Sequence, residues 1–298
     1  MHNALLNSQE VISGINNSDT GGGGLGFPSV SWSGRVPGIN GKGAFVITAD
    51  QIIGKYDENV LSDWSFGKEF IGGEMKEVYY TDKMMAVPVA WRTCWVKYGS
   101  DRRIEGRWGK YTKRTPDMNM GGAKTNTQVI LYIPSLNNYA LMGLSGVSKT
   151  VAWDNDQSNQ RYSTFPLGIV QRLEAVAAKA SEVLTEQNNT NVQVSPNMTF
   201  LVTFENFLDE QSGEPKIFKV GSGDKTSQMF APTIYADPDE WEKAYAGDGM
   251  FNKFVKDYMD TFSEWVAEWP AVGEISQGKI GSDTAQAAPQ FSDDPLPF

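Results

Sequence analysis

The chain has 298 residues, enough for one large domain or two ordinary ones, and 40% of them are hydrophobic. No run of eighteen or more apolar residues is present, the N-terminus lacks the pattern of a secretory signal, and there is one cysteine. We therefore expect a cytoplasmic protein with no membrane span and no disulfide framework. The formal net charge is −10, and residues 237–298 hold thirteen acidic side chains against four lysines. This asymmetry is typical of an acidic tail beside a body that has its own basic surface.

The first thirty residues are rich in Gly and Asn, which predicts a flexible arm. Farther along the chain, five segments have the composition and alternation of strands. They are Ala44–Thr48, Val78–Tyr80, Val87–Tyr98, Gln128–Ile133 and Tyr139–Leu144. Pro88 would place the start of its strand at a sheet edge. Hairpin-turn residues separate the last two strands.

A helix and two more strands are expected in the second half of the chain. Apolar residues recur at three- and four-residue steps after Pro166, and they predict a helix over 166–187 with this proline in its first turn. The helix should stop near Asn188. Strands at Asn197–Phe204 and Lys216–Val220 flank a polar turn, and we expect them to pair as a hairpin.

A second helical region is predicted to begin at Asp237, where Pro238 and acidic side chains suit a helix N-terminus. An apolar stripe continues it from Met250 to Glu268. Residues 271–298 are poor in apolar side chains, and we expect them to be disordered. Together the elements predict an α+β protein with an antiparallel β-sheet core, a long mid-chain helix and a C-terminal helical region.

The segment from Trp91 to Arg114 concentrates positive charge in a chain that is negative overall. It holds eight basic, two acidic and five aromatic residues. Basic side chains neutralise the phosphates of a single-stranded nucleic acid, and aromatic side chains stack on its bases, each worth roughly 1–3 kcal/mol. We expect a long loop or ribbon between strands from Tyr98 to Arg114. The candidate DNA-binding residues are Arg92, Trp95, Lys97, Tyr98, Arg102, Arg103, Arg107, Trp108, Lys110, Tyr111, Lys113 and Arg114.

A plainer interpretation of part of this segment stays open. Trp91 and Trp95 fall on the same face of the predicted strand, so both can be core residues beside a solvated basic face. For the stretch from Arg102 to Arg114, the clustering of basic residues in an acidic protein favours contact with nucleic acid.

Catalysis and metal binding have no good candidate residues. One histidine, His2, and one cysteine, Cys94, cannot build a zinc site of the usual ligand types. A carboxylate-only Mg²⁺ site stays open at the spaced pairs Asp154/Asp156 and Asp237/Asp239, which we interpret as loop or cap residues. The glycine-rich loops lack the spacing or context of nucleotide-binding motifs. We therefore expect a protein that is not an enzyme and that has neither a cofactor nor a metal.

The chain ends on an aromatic residue that follows two carboxylates and two prolines. The prolines forbid helix and keep the peptide extended. The segment resembles the C-terminal peptide of single-stranded-DNA-binding proteins, in which a run of Asp ends in a hydrophobic residue, Pro and Phe. The matching residues are Asp293, Asp294, Leu296, Pro297 and Phe298. Pro295 departs from the family, which more often has a third acid there. The resemblance implies a tail whose last residue and carboxylate bind a partner.

The body is too long, and has too much helix, for a simple five-stranded oligonucleotide-binding barrel. It is more similar to the large, divergent single-stranded-DNA-binding proteins of bacterial viruses, including those of N4-related phages. Arg92 in Pro-Val-Ala-Trp-Arg, the strand Gln128–Ile133 and Leu144-Ser-Gly146 carry this similarity. The resemblance implies a role in phage replication, or in transcription as a cofactor that recruits the phage RNA polymerase, in the host cytoplasm. A homo-oligomer is left open.

These observations divide the chain into a flexible arm (1–30), a single α+β nucleic-acid-binding domain (31–270) and a disordered acidic tail (271–298). The main hypothesis is that the protein binds single-stranded DNA, and that the tail competes for the basic surface when DNA is absent. The alternative is a phage structural or assembly protein that binds no nucleic acid. A regulator that binds duplex DNA is a third hypothesis, although no helix-turn-helix with a basic second helix is visible.

Overall fold

The computed structural model describes residues 26–34, 36–57, 59–71, 74–98, 104–110, 124–145, 152–155, 165–220 and 227–267. Within these residues the structure is mixed α+β, and one curled, strand-rich sheet in the form of a half-barrel dominates it. The α+β class predicted from the sequence is therefore confirmed at this level. Most of the predicted arm and all of the predicted tail lie outside the described residues.

The strands of the described residues are β1 (Ser29–Ser33), β2 (Ala44–Thr48), β3 (Ser65–Ile71), β4 (Glu74–Thr81), β5 (Lys83–Tyr98), β6 (Ile104–Lys110), β7 (Lys124–Ile133), β8 (Asn138–Ser145), β9 (Val202–Asn206), β10 (Ile217–Val220), β11 (Ser227–Phe230) and β12 (Pro232–Ile234). The large sheet has the order β12-β9-β5-β7-β8-β1-β2-β4-β3, with β6 also paired to β5. Its pairs are antiparallel except β1 with β8, and β10 and β11 form a separate ribbon.

The described helices are α1 (Ile169–Asn188), α2 (Trp241–Ala244), α3 (Asp248–Asp257) and α4 (Ser263–Ala267), with a π-helical turn (Tyr258–Phe262) that joins the last two. The helix predicted over 166–187 begins three residues later than expected, because the N–H of Gly168 bonds to the carbonyl of Asn155 and this glycine is the N-cap. At the other end Asn189 has a φ of 52°, a left-handed conformation that asparagine tolerates.

Two strand predictions match the structure closely. β2 has the predicted bounds, and β7 and β8 form the predicted hairpin, in which Asn137 takes a φ of 48° after a 3₁₀ turn. However, β7 begins at Lys124 instead of Gln128. The additional residues are polar, but they continue the pairing with β5 as far as Val96.

The prediction that Pro88 marks the start of a strand is wrong, because β5 begins at Lys83. Proline has no N–H to donate to a neighbouring strand. In β5 it lies where the pairing with both neighbouring strands changes. The pairing with β9 stops at Ala86, and the register with β7 shifts between Pro88 and Ala90. Such a bulge lets proline occupy the interior of a long strand.

The prediction that Asn197–Phe204 and Lys216–Val220 pair as a hairpin is also wrong. The polar turn does reverse the chain, since the N–H of Lys216 bonds to the carbonyl of Phe207 at 2.8 Å. β9 begins only at Val202, however, and its two edges are occupied by β5 and β12. The later strand therefore pairs with β11 instead.

The helical region predicted from Asp237 onward is present, and the Asp237 carboxylate accepts a hydrogen bond from the N–H of Asp239 at 2.9 Å as an N-cap. The apolar stripe packs into the main core through Phe251, Phe254 and Trp265. Met259 belongs to the predicted stripe but is 57% exposed. It lies in the π-helical turn, where an additional residue per turn rotates the side chains away from α-helical positions.

Candidate nucleic-acid interface

β5 is one continuous strand with two chemically different parts. From Val87 to Trp91, which we call its apolar half, it pairs with the buried end of β7, and Val87 and Val89 are fully buried. From Arg92 to Tyr98, its polar half, it pairs with Lys124–Gln128 of the same neighbour. The candidate interface begins where the apolar core ends.

Of the loop or ribbon predicted from Tyr98 to Arg114, the structure describes Ile104–Lys110 beyond the end of β5, and these residues form β6, a strand paired with β5. β6 pairs with β5 so that Arg107 lies opposite Val96, and Lys110 lies opposite Cys94. The register shifts twice along this pair, between Cys94 and Val96 and again between Lys97 and Tyr98. Such irregularities increase the local twist of the paired strands.

Several strands meet at the same end of the sheet as this ribbon. β5 ends at Tyr98, β7 begins at Lys124 directly beside it, and β8 ends at Ser145 opposite Asn126 of β7. The backbone positions of Lys110 and Lys124 flank β5 two residues apart, because they pair with Cys94 and Val96 on opposite edges of that strand. The fold therefore brings a basic residue from β7 beside the predicted segment.

The predicted site residues fall into three groups. The structure describes the side chains of Arg92 and Trp95, both of which are half-buried. The backbone alone is described for Lys97, Tyr98, Arg107, Trp108 and Lys110. Outside the described residues are Arg102, Arg103, Tyr111, Lys113 and Arg114, together with the tail residues Asp293, Asp294, Leu296, Pro297 and Phe298.

Arg92 is held by contacts inside the protein. Its Nε and Nη2 donate to the Gln128 side-chain oxygen at 3.0 and 2.8 Å, and its Nη1 donates to the backbone carbonyl of Trp265. The guanidinium also lies over the Trp265 ring, 3.8 Å from the centroid. Gln128 and Trp265 are buried. The guanidinium is thus already stacked on a ring of the protein, in the way in which it would otherwise stack on a nucleic-acid base.

The two faces of the sheet at this point are covered by different segments. Trp91 packs edge-on against Trp153, with centroids 5.6 Å apart, while its neighbour Arg92 faces α4 on the other side. Trp91 therefore takes the core role that the plainer interpretation gave it. On the face of Trp91 the hydroxyls of Thr93 and Thr127 share a hydrogen bond of 2.6 Å, which satisfies the fully buried Thr127.

A second cluster fastens the C-terminal helices to the apolar end of the sheet. Tyr139 of β8 donates its hydroxyl proton to the Asp257 carboxylate, and Lys253 donates to both of them, at 2.9 Å to the Tyr139 oxygen. Burial alone would raise the pKa of Asp257, but the hydrogen bonds from Lys253 and Tyr139 outweigh it and hold that pKa below its usual range. Burial and the adjacent carboxylate raise the pKa of Tyr139.

Three residues of this region were missed by sequence analysis as parts of the site. Lys124 and Thr125 extend β7 alongside the polar half of β5, and Trp265 covers Arg92. The signal for the first two was present, because the run Lys124–Thr127 precedes a predicted strand and contains two β-prone threonines. No local pattern links Trp265 to Arg92, since they are 173 positions apart.

The carboxylate pairs considered for metal binding have other roles where they are described. Asp237 is a helix cap, and Asp154 accepts a hydrogen bond from Gln171 at 2.8 Å. No cluster of three or more His, Cys, Asp or Glu side chains suited to a metal ion occurs within the described ranges. In the part of the chain that the structure covers, no helix has the length and apolar content to cross a membrane.

Comparison with known proteins leaves the family of this chain open. No family model matches it. No curated protein and no solved structure is similar to it at a significant level. Its function is therefore inferred from the residues of the chain and the geometry of the site.

Proposed function

We propose that the protein binds single-stranded DNA, without catalysis, through the basic and aromatic segment from Trp91 to Arg114. One observation carries the proposal: β5, β6 and β7 gather the described part of this segment at one end of the sheet, beside Lys124. A local positive field attracts a polyanion even when the whole chain is negative. Flat side chains next to that charge favour unpaired bases over duplex.

The acidic tail, residues 271–298, is proposed to compete with DNA for this surface. α4 ends at Ala267, and Trp265 within it contacts Arg92, so the chain leaves the described structure beside the polar half of β5. The 31 residues from 268 to the end can span on the order of 100 Å when extended. The tail is therefore long enough to reach any part of the interface.

Displacement of the tail by DNA would free Phe298 and its carboxylate for a partner. The resemblance of the tail to those of single-stranded-DNA-binding proteins supports this step. The partner class we propose is a phage RNA polymerase or a replication protein, and the compartment is the host cytoplasm. The scaffold we propose is an antiparallel β-sheet core with the mid-chain helix α1 and the C-terminal helices, distinct from a simple oligonucleotide-binding barrel.

Fluorescence anisotropy with labelled oligo-dT tests this proposal on three chains: the full chain, a truncation ending at Pro270, and a variant with Arg102, Arg103 and Arg107 changed to Ala. We expect tighter binding by the truncation, because the competing acid is gone. We expect much weaker binding by the variant. The log–log slope of its affinity against salt should fall by about 2, since each phosphate of a single strand that is no longer neutralised removes about 0.7.

A charge-matched control separates a local site from a general effect of charge. Lys55, Lys243 and Lys256 are exposed on other parts of the molecule, and changing all three to Ala removes the same charge. This control should bind oligo-dT nearly as tightly as the full chain. Equal affinities for the three test chains would contradict the proposal, and an absence of salt-dependent binding would favour an assembly protein. Competition by duplex of the same sequence tests the remaining hypothesis.

A further inference from the structure

The strand at the far end of the sheet from the candidate interface leaves an apolar surface uncovered. β3 is the terminal strand of the large sheet, and no other strand of the described residues pairs with its outer edge. Phe66 and Phe70 of this strand are 53% and 59% exposed, and Met75 of β4 is 61% exposed. Large apolar side chains next to an open strand edge are a favourable surface for pairing with another strand.

These side chains share one face of the β3–β4 hairpin. The register pairs Phe66 with Tyr79 and Phe70 with Met75, at alternate positions of each strand. Tyr79 in turn pairs with Ile47 of β2, which is fully buried in the main core. The exposed face of the hairpin is therefore a continuation of the sheet face that packs against the main core at Ile47.

The opposite face of the same hairpin is already satisfied. Ile71 and Val78 are buried there against Val46 in a small separate cluster. The exposed residues are thus not a general feature of a loose hairpin. They are one uncovered side of a hairpin whose other side is packed.

We propose that this edge binds a second copy of the chain, with the two β3 strands antiparallel across a twofold axis at Lys68. β3 has seven residues, from Ser65 to Ile71, and Lys68 is its central residue. A register centred there uses the whole strand and places Phe66 of each copy opposite Phe70 of the other. Shifts by two residues shorten the ladder and place a phenylalanine opposite Lys68 or beyond the strand end. Isologous pairing of this kind closes as a dimer.

One feature of the strand opposes this register and a neighbouring residue offsets it. A lysine in an edge strand deters pairing when two copies bring their ammonium groups together, and here the two Lys68 side chains would be adjacent. Lys68 also lies directly opposite Glu77 of β4, so the row across the dimer would read Glu77, Lys68, Lys68, Glu77, and each carboxylate would offset part of the repulsion. On the other face, Glu69 of each copy would lie opposite Gly67, which avoids a pair of carboxylates.

Disulfide trapping tests the register directly. We expect Lys68→Cys, in a Cys94→Ser background, to form a covalent dimer on mild oxidation. Residues opposite each other in an antiparallel pair have Cα atoms about 4.5–5.5 Å apart, within the range of a disulfide. The matched control is Glu77→Cys, which is also exposed and on the same face. Two copies of it would lie about 14 Å apart, three strand spacings, and should not cross-link.

Sedimentation equilibrium of the unmodified chain supplies the second measurement. We expect a monomer–dimer equilibrium that is weakened at least tenfold by Phe66→Ser with Phe70→Ser. It should be unchanged by Ile53→Ser with Met85→Ser, which removes exposed apolar surface elsewhere. The proposal is overturned by a wild-type chain that stays monomeric at near-millimolar concentration, or by equal cross-linking at both cysteine positions. Oligo-dT affinity of the same variants reports separately on the nucleic-acid interface.

Discussion

The two halves of β5 share one backbone register with β7 but are stabilised in different ways. In the apolar half, Val87 and Val89 are fully buried in the main core. In the polar half, Arg92 and Thr93 are held by hydrogen bonds to the side chains directly opposite them. Val96, Thr127 and Gln128 are buried in the polar half as well, so the strand remains part of the packed sheet and its polar side chains are paired with one another.

This contrast supports the proposal that an acidic protein presents a local basic site. A ribbon of two strands alone is marginally stable in water. Here β5 is also paired with β7 along the ribbon as far as Val96, and four Cα pairs between Val87 and Trp91 anchor it in the core. Rigid attachment lowers the conformational entropy lost when a flexible ligand binds.

Removal of core packing from the apolar half should have the largest effect. Leu131 of β7 pairs with Pro88 and is fully buried. We expect Leu131→Ala to lower the free energy of unfolding by about 2–5 kcal/mol, because it leaves a cavity in a close-packed region. Urea denaturation measures it. The corresponding change beside the polar half is Thr125→Ala on β7, which should cost below about 1 kcal/mol. Equal costs would show that the two halves do not differ as described.

Disruption of Arg92 should have an intermediate effect. We expect Arg92→Ala to cost about 1–3 kcal/mol, because it leaves the buried oxygen of Gln128 and the carbonyl of Trp265 without their donor. Amide hydrogen exchange in α4 should accelerate, since the guanidinium no longer fastens this helix to the sheet.

Arg92→Lys is the control for charge in this experiment. It keeps the positive charge but loses the planar group that forks to Gln128 and stacks on Trp265. We expect it to recover less than half of the lost stability. Full recovery would mean that charge alone holds α4 against the polar half.

The sequence predicted the elements whose residues carry a local signal. β2, the β7–β8 hairpin and the cap at Asp237 follow from alternation, turn residues and a proline next to acids. The loop or ribbon predicted after Tyr98 rests on the basic side chains and glycines of that stretch, and β6 lies within it. The polar start of β7 escaped because hydrophobic alternation stops there, although the ladder does not.

The errors have a common physical origin in tertiary pairing. Nothing near Lys216 shows that the edges of β9 are already occupied by β5 and β12. The local sequence around Pro88 does not indicate that a bulge accommodates this proline inside a strand of sixteen residues. The contact of Arg92 with Trp265 likewise depends on the folded chain. Local propensity cannot report which of several competing partners wins.

The smallest expected effect concerns the second attachment of the C-terminal helices, at the apolar end. We expect Asp257→Asn to cost about 1 kcal/mol at pH 7, because it weakens the hydrogen bonds from Lys253 and Tyr139. The pKa of this carboxyl is lowered in the folded protein. Its contribution is therefore complete above the unfolded-state pKa, about 4, and is lost as the pH falls through the lower folded value.

Urea denaturation of the two chains from pH 7 to acid measures this dependence. The difference between wild type and Asp257→Asn should be constant down to about pH 4 and should shrink below it. Asp260→Asn makes the same charge change at an exposed position of the adjoining turn, and should have little effect at any pH. A difference that persists unchanged in acid would assign the stability to shape and not to charge. Both contacts of the C-terminal helices with the sheet, at Arg92 of β5 and at Tyr139 of β8, would then depend on the shape of the side chains.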